Sequence, residues 1–148
     1  MIEVRRLKEY SPEVAGSMRR LLIDLSRSGK DKGEITKEWF EEIIASPLHE
    51  ILLAYEGEEV VGMMSLSIVM GPGIRKNAYL EDFVTASDKR GLGVGNALWT
   101  ETLEWAKEKG CKRLEFTCGN GRETAQKFYK KHGAEVYDTN FFRFELNK

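Results

Sequence analysis

Apolar residues recur every second position in some stretches of the chain and every third or fourth in others, and the change of period marks out the elements. The run IEVRRL (2–7) reads as a short strand. Ser11–Pro12 opens a helix, with proline in the first turn, and Val14, Met18, Leu21, Leu22 and Leu25 form its apolar stripe. A polar loop, SRSGKDKGE (26–34), follows. Thr36 then suits the N-cap of a second helix with Trp39, Phe40, Ile43 and Ile44 on one face. Residues 50–70 read as a hairpin turning at EGEE, 71–77 (GPGIRKN) as a loop, and AYLEDFVTA (78–86) as the next strand. A long helix runs to about Lys109, with Val94, Leu98, Leu103 and Ala106 inward and Gly110 closing it. KRLEFTC (112–118) reads as a strand, RETAQKFYKKH (122–132) as a helix ending at Gly133, and AEVY and FFRFEL as two closing strands. The order β-α-α-β-β-β-α-β-α-β-β predicts an α+β, three-layer fold. Its mixed, mostly antiparallel sheet would have about seven strands, with four helices on its two faces.

Bulk properties narrow the classes of function. A length of 148 residues suits a single domain, 1–148, able to bury a real core. The formal net charge of −1 gives no bulk reason to expect nucleic acid or an anionic membrane as partner. No apolar run approaches the roughly 20 residues of a membrane span, and MIEVRRLKEY lacks the apolar core of a signal peptide. Two cysteines, Cys111 and Cys118, make no disulfide framework, and a cytoplasmic location is expected. His49 and His132 stand apart from cysteines and paired carboxylates, so no metal site is expected. Trp39, Trp99 and Trp105 are read as packing residues.

DKRGLGVGNAL (88–98) stands out against this background. Gly91, Gly93 and Gly95 fall between a strand and a helix, where the first N–H groups of the helix lack internal partners and the helix dipole favours an anion. Glycines there let a phosphate approach the main chain, and Lys89 and Arg90 add positive charge. A P-loop needs a lysine after its last glycine, which is missing. The dinucleotide fingerprint needs a glycine where Asn96 stands. A pyrophosphate cradle over 90–96 and a glycine turn used only for packing both remain open on the residues alone.

Arg90-x-x-Gly93-x-Gly95 resembles the R/Q-x-x-G-x-G/A signature of the GNAT superfamily of N-acetyltransferases, and the resemblance runs through nearly the whole order of elements. YLEDFVTASDKRGLGVG (79–95) is similar to the polyamine (spermidine/spermine-type) acetyltransferases. RETAQKFYKKHGA (122–134) matches the superfamily's second block, and GRETAQKFY with FFRFELNK is similar to aminoalkylphosphonate N-acetyltransferases. The resemblance implies the GNAT fold, acetyl-CoA as cosubstrate without a metal, and acetyl transfer to a primary amine of a small molecule by direct attack in a ternary complex. It implies that the main chain of Gly91, Leu92, Gly93, Val94, Gly95 and Asn96, beside Arg90, holds the pyrophosphate, while Phe83, Val84 and Thr85 pair with the pantetheine arm. Homodimers are frequent in the superfamily, although no periodicity in this chain sets its oligomeric state.

The chemistry requires a neutral amine, a donor for the oxyanion and a proton for the thiolate. Glu81 matches the base position of the polyamine-type enzymes, and strand alternation predicts that only one of Glu81 and Asp82 faces the acetyl group. An alkyl amine titrates near 10.4 and a glutamate near 4.3, so a water relay or a lowered amine pKa is needed. Tyr129 matches the superfamily's acid beside the sulfur, and the Val84 N–H is the expected oxyanion donor. Arg122 is left without a role. The loops 26–34 and 71–77 would wall the acceptor site. The acids Glu81 and Asp82 favour a cationic amine, whereas Arg75 and Lys76 favour an acidic or phosphonate-bearing one. A peptide or protein N-acetyltransferase and a catalytically silent acetyl-CoA-binding module are the competing functions.

Overall fold

Alternation and turn chemistry fold the first three-quarters of the chain into an open sheet. The structure is a computed structural model that describes residues 1–26 and 28–147. The loop expected over 26–34 therefore includes one position, 27, outside the described residues. The elements are β1 (Ile2–Arg6), α1 (Pro12–Leu25), α2 (Lys37–Ala45), β2 (His49–Glu56), β3 (Glu59–Gly71), β4 (Arg75–Thr85), α3 (Val94–Glu108), β5 (Leu114–Glu115) and α4 (Glu123–Lys131). They fall into two compact units, Met1–Phe116 and Thr117–Lys148.

In the first unit the sheet order is β1-β2-β3-β4-β5, antiparallel except for the parallel β4–β5 pair. Among the described residues the sheet thus has five strands, where the apolar pattern predicted about seven. AEVY and FFRFEL carry the right residue types, but a strand exists only where a neighbour completes its ladder, and propensity cannot specify that neighbour. The strand expected over 112–118 shortens to Leu114–Glu115 for the same reason. In contrast β4 starts three residues early, at Arg75, because the 71–77 loop tightens into a hairpin turn with Ile74 at φ 57°.

One face of the sheet is covered by α1 and α2, and α3 packs on β1 to β4. Met18 and Leu21 of α1 and Phe40 of α2 meet Ile51, Leu53, Met63 and Val84 in one buried cluster. Against α3, the alternate residues Leu52, Met64 and Leu66 are buried with Val94, Leu98 and Trp105. Leu103, expected inward, is exposed; Thr102 and Trp105 are buried instead, the Thr102 hydroxyl donating to Leu98 O and Met64 Sδ. Gly62 sets the distance between helix and sheet. A Cβ there would lie 2.6 Å from Val94 Cγ1 and 3.2 Å from Val84 O, so only glycine lets the start of α3 come down on β3. Arg6 of β1 anchors the same helix through Glu101 and Glu108, each at 2.8 Å.

In the second unit α4 presents a Phe128 ring against Tyr129 and His132, with Lys130 and Lys131 in its last turn, where the helix dipole favours cations. Gly133 leaves the helix at φ 91°, and Ala134 N–H returns to Tyr129 O at 3.0 Å.

Candidate active site

The start of α3 is built unlike the starts of the two helices before it. Ser11 caps α1 by accepting from Val14 N–H, and Thr36 caps α2 by accepting from Trp39 N–H; each has a glutamate in its first turn. The N-cap of α3 is Gly93, with no side-chain cap and no acid in the first turn. Its first helical bond is Ala97 N–H to Gly93 O, so the helix does not itself satisfy the N–H groups of Val94 and Gly95. Gly91 (φ 81°) and Gly93 (φ 85°) both take left-handed backbone, and a Cβ at either would meet nothing within 4 Å. These glycines are needed for their conformation, and the space above them is open. Leu92 is exposed and Val94 buried, so this turn presents its main chain outward while Val94 anchors it. A diphosphate fits these residues by charge and by access.

Of the two basic residues before the glycines, only Arg90 remains available. Lys89 closes a 3-10 turn (Ser87–Lys89), and its Nζ donates to Glu56 Oε1 at 2.6 Å at the hairpin end of β2. The expected pair of cations at the cradle is therefore one cation, because the nearer carboxylate holds the other. The pairing raises the Lys89 pKa and lowers that of Glu56.

The strand leading to the cradle contains a bulge. Met63 pairs with Val84 and Ser65 with Glu81, so Met64 faces two residues, Asp82 and Phe83. Asp82 absorbs the extra residue at φ 51°, a conformation that aspartate tolerates better than most side chains. Strand alternation, which would place Glu81 and Asp82 on opposite faces, fails at this residue. Both carboxylates line the same cleft of about 270 Å³. Ser65 Oγ donates to Asp82 Oδ2 at 3.0 Å and lies 3.4 Å from Glu81 O, which fastens the bulge. Beyond it, Val84 enters the apolar cluster, and Thr85 pairs with Gly62. Phe83, Val84 and Thr85 thus run from the carboxylates toward the cradle, separated from it by the 3-10 turn.

The other walls of the cleft come from α1, α2 and β2. Trp39, read as a packing residue, is 65% exposed and lines the cleft beside Ile35, Phe40 and Ile43. Glu50 adds a third acid; its side chain is only 12% exposed and lies 3.6 Å from Lys8. Sequence reading missed Asp82 as a partner of Glu81, and also Ser65, Glu50 and Gly62. The glycine inside the apolar run VVGMM was the one usable signal, since an isolated strand glycine marks close backbone approach.

Tyr129 belongs to the second unit. Burial pushes its phenol up to about 12, reinforced by Cys118 and opposed by Arg122. His49 lines the cleft, and its Nδ1 is hydrogen-bonded with Ser46 Oγ at 2.8 Å, which accounts for it as a turn residue. No group of three or more metal-ligating side chains occurs among the described residues, and no helix there is long and apolar enough to cross a membrane.

The sequence profile of the Acetyltransferase (GNAT) family matches residues 17–134, and the chain belongs to that family. It is 34% identical over 74 residues to a thialysine N-epsilon-acetyltransferase of Bos taurus, covering 47% of this chain and 44% of the relative. The Sus scrofa protein of the same name is 29% identical over 94 residues, covering 61% and 55%. The chain thus spans about half the length of these relatives. The crystal structure of glucosamine-6-phosphate N-acetyltransferase from Arabidopsis thaliana superposes with a TM-score of 0.79 at 24% identity, over 97% of this chain and 98% of that one, a likeness of fold.

Proposed function

We propose that this chain is an acetyl-CoA-dependent N-acetyltransferase that acetylates a primary amine of a small molecule by direct attack within a ternary complex. The observation that carries this reading is the α3 start: an uncapped helix N-terminus, approached through two left-handed glycines, beside a cleft holding two carboxylates. The names of the relatives, N-acetyltransferases of an amine, support the reaction class.

The N–H groups from Gly91 to Asn96 would bind the diphosphate of coenzyme A, with Arg90 adding charge. Phe83, Val84 and Thr85 would hold the pantetheine arm, whose amides need partners once water is excluded. Acetyl-CoA supplies the thioester. The amine arrives as an ammonium and must lose a proton before its lone pair can attack. Glu81, with Asp82 beside it, attracts the ammonium and orients the water through which its proton leaves to solvent, since leaving a proton from a pKa near 10.4 on a carboxylate is steeply uphill unless the site lowers the amine pKa. The Val84 N–H would stabilise the oxyanion, and Tyr129, which holds its proton up to about pH 12, would donate to the departing thiolate. Trp39, Phe40 and Ile43 give the acceptor an apolar wall.

Thiol release from acetyl-CoA across polyamines, amino acids, aminophosphonates, aminoglycosides and N-terminal peptides tests the reading. Turnover with small amines is expected. Turnover with peptides alone would make the chain a peptide acetyltransferase, and coenzyme A binding without turnover on any amine would make it a silent binding module. Tyr129→Phe keeps the ring and removes the proton; kcat is expected to fall about 100-fold while the melting temperature hardly moves. Unchanged turnover in that variant would remove Tyr129 from the mechanism.

A further inference from the structure

The acceptor cleft does not end at the two carboxylates. Tyr79 lines it, and the same Tyr79 lines a second cavity of about 430 Å³ farther along β4. That cavity is bounded by Arg75, Asn77 and Val69 on one side and by Arg113 and Glu115 on the other. These residues share a face because 75, 77 and 79 alternate with the buried Ala78 and Leu80, and because β5 runs parallel to β4 with Tyr79 beside Glu115. Asn77, only 4% exposed, donates to Glu115 Oε1 at 3.1 Å and so fixes the one acid of the cavity, whose single charge faces two guanidiniums. The guanidinium groups of Arg75 and Arg113 have no carboxylate or hydrogen-bond partner among the described residues. Elsewhere in this unit Arg5, Arg6 and Arg19 are paired with acids and Arg20 donates to Ser17 Oγ, while Arg90 stands before the glycine turn. Gly71 leaves the room that Arg75 uses: a Cβ there would lie 2.7 Å from Arg75 Nη2. Lys76, expected beside Arg75 at the acceptor wall, alternates away from this face.

Resting on the acceptor cleft proposed above, we infer that this second cavity is an anion subsite, so that the acceptor is an elongated amine bearing a carboxylate at its far end. The amine sits at Glu81 and Asp82, the chain passes Tyr79, and the carboxylate meets Arg75 and Arg113. Four strand residues separate Glu81 from Asn77, beside which Arg113 lies, and six separate it from Arg75, which spaces the two charges by about 13 to 20 Å before the arginine side chains reach back. The polarity of the strip, acids at one end and two unpaired guanidiniums against the single acid Glu115 at the other, matches a zwitterion and disfavours a polycation at the distal end.

Calorimetry on the full chain with coenzyme A present tests this. The probes are ω-amino acids of increasing length, from β-alanine to aminododecanoate, each against its neutral carboxamide. The acid is expected to bind about tenfold more tightly than the amide once the chain is long enough to reach, and not below that length. The double variant Arg75→Ala, Arg113→Ala should abolish that advantage and leave amide binding unchanged, and Arg113→Lys should restore part of it in a single-arginine background. Both arginines are exposed and unpaired, so an unchanged melting curve is expected for these variants. Equal affinities of acid and amide at every length, no binding by either, or an advantage that survives the double variant would each overturn the subsite. Thiol release separates this from the parent reading. Acid-selective binding without thiol release on any amine leaves the subsite standing and removes the transferase. Thiol release with no acid preference does the reverse.

Discussion

Helices α1 and α3 both follow a strand and a short turn, yet their N-termini are opposites. Helix α1 closes itself: Ser11 accepts from Val14 N–H at 3.4 Å, Pro12 removes a donor, and Glu13 answers the dipole. Helix α3 is left open by a glycine cap with no acid near it, and its neighbour Gly62 is cut back so that this open end can settle on the sheet. The difference teaches where function lies in this fold. The caps of α1 and α2 stabilise the scaffold; α4 lacks a side-chain cap but carries Glu123 in its first turn, whereas the α3 start has neither cap nor acid, so an anion can take the place of the cap there.

The contrast breaks most sharply at Gly93→Asp. Aspartate tolerates left-handed backbone better than most side chains, and its charge at the helix start opposes a diphosphate. Coenzyme A affinity by calorimetry should fall about 100-fold, well beyond the stability loss of about 1–2 kcal/mol that the left-handed backbone at residue 93 imposes on a side chain. Equal affinity would mean that the α3 start is not the cradle. Gly62→Ala comes next. Its Cβ would press on buried Val94 and on the Val84 carbonyl, and a stability loss of about 1–3 kcal/mol is expected in denaturant titration, with weaker coenzyme A binding as α3 lifts. Ser11→Ala should cost about 1 kcal/mol and leave coenzyme A affinity unchanged; a matching loss of affinity would erase the distinction between the two starts.

The smallest effect concerns the Lys89–Glu56 pair behind the cradle. The folded Glu56 pKa is lowered, so its contribution is present above the ordinary carboxylate value and is lost as pH falls through the folded one. The folded Lys89 pKa is raised, so on the alkaline side the contribution is lost as pH rises through it. The melting-temperature difference between wild type and Glu56→Gln should therefore be greatest near neutrality and shrink at both ends. A difference constant with pH would show that the pair acts by packing and not by charge.

Much of the scaffold was legible before any coordinates. The caps Ser11 and Thr36, the hairpin between β2 and β3, and the glycine-led start of α3 follow from rules that act over four or five residues. Legibility failed where a partner decided the outcome. Leu103 has the period of a core residue, yet Thr102 takes the core position because Met64 and Leu98 offer its hydroxyl a place. Lys89 looked available for an anion until Glu56 came beside it from β2. The bulge at Asp82 was invisible for the same reason, since an extra residue on β4 is defined only by the register of β3.

What the amino-acid order determined by itself is local: the period of each element, the residues that start and stop it, and a stretch of main chain that glycine keeps bare. The tertiary structure alone decided which charges meet. It turned Glu81 and Asp82 into one cleft, paired Lys89 away, and left Arg75 and Arg113 unpaired beyond Tyr79. Backbone preferences act within a few residues, whereas charges and ladders depend on segments brought together from tens of residues apart.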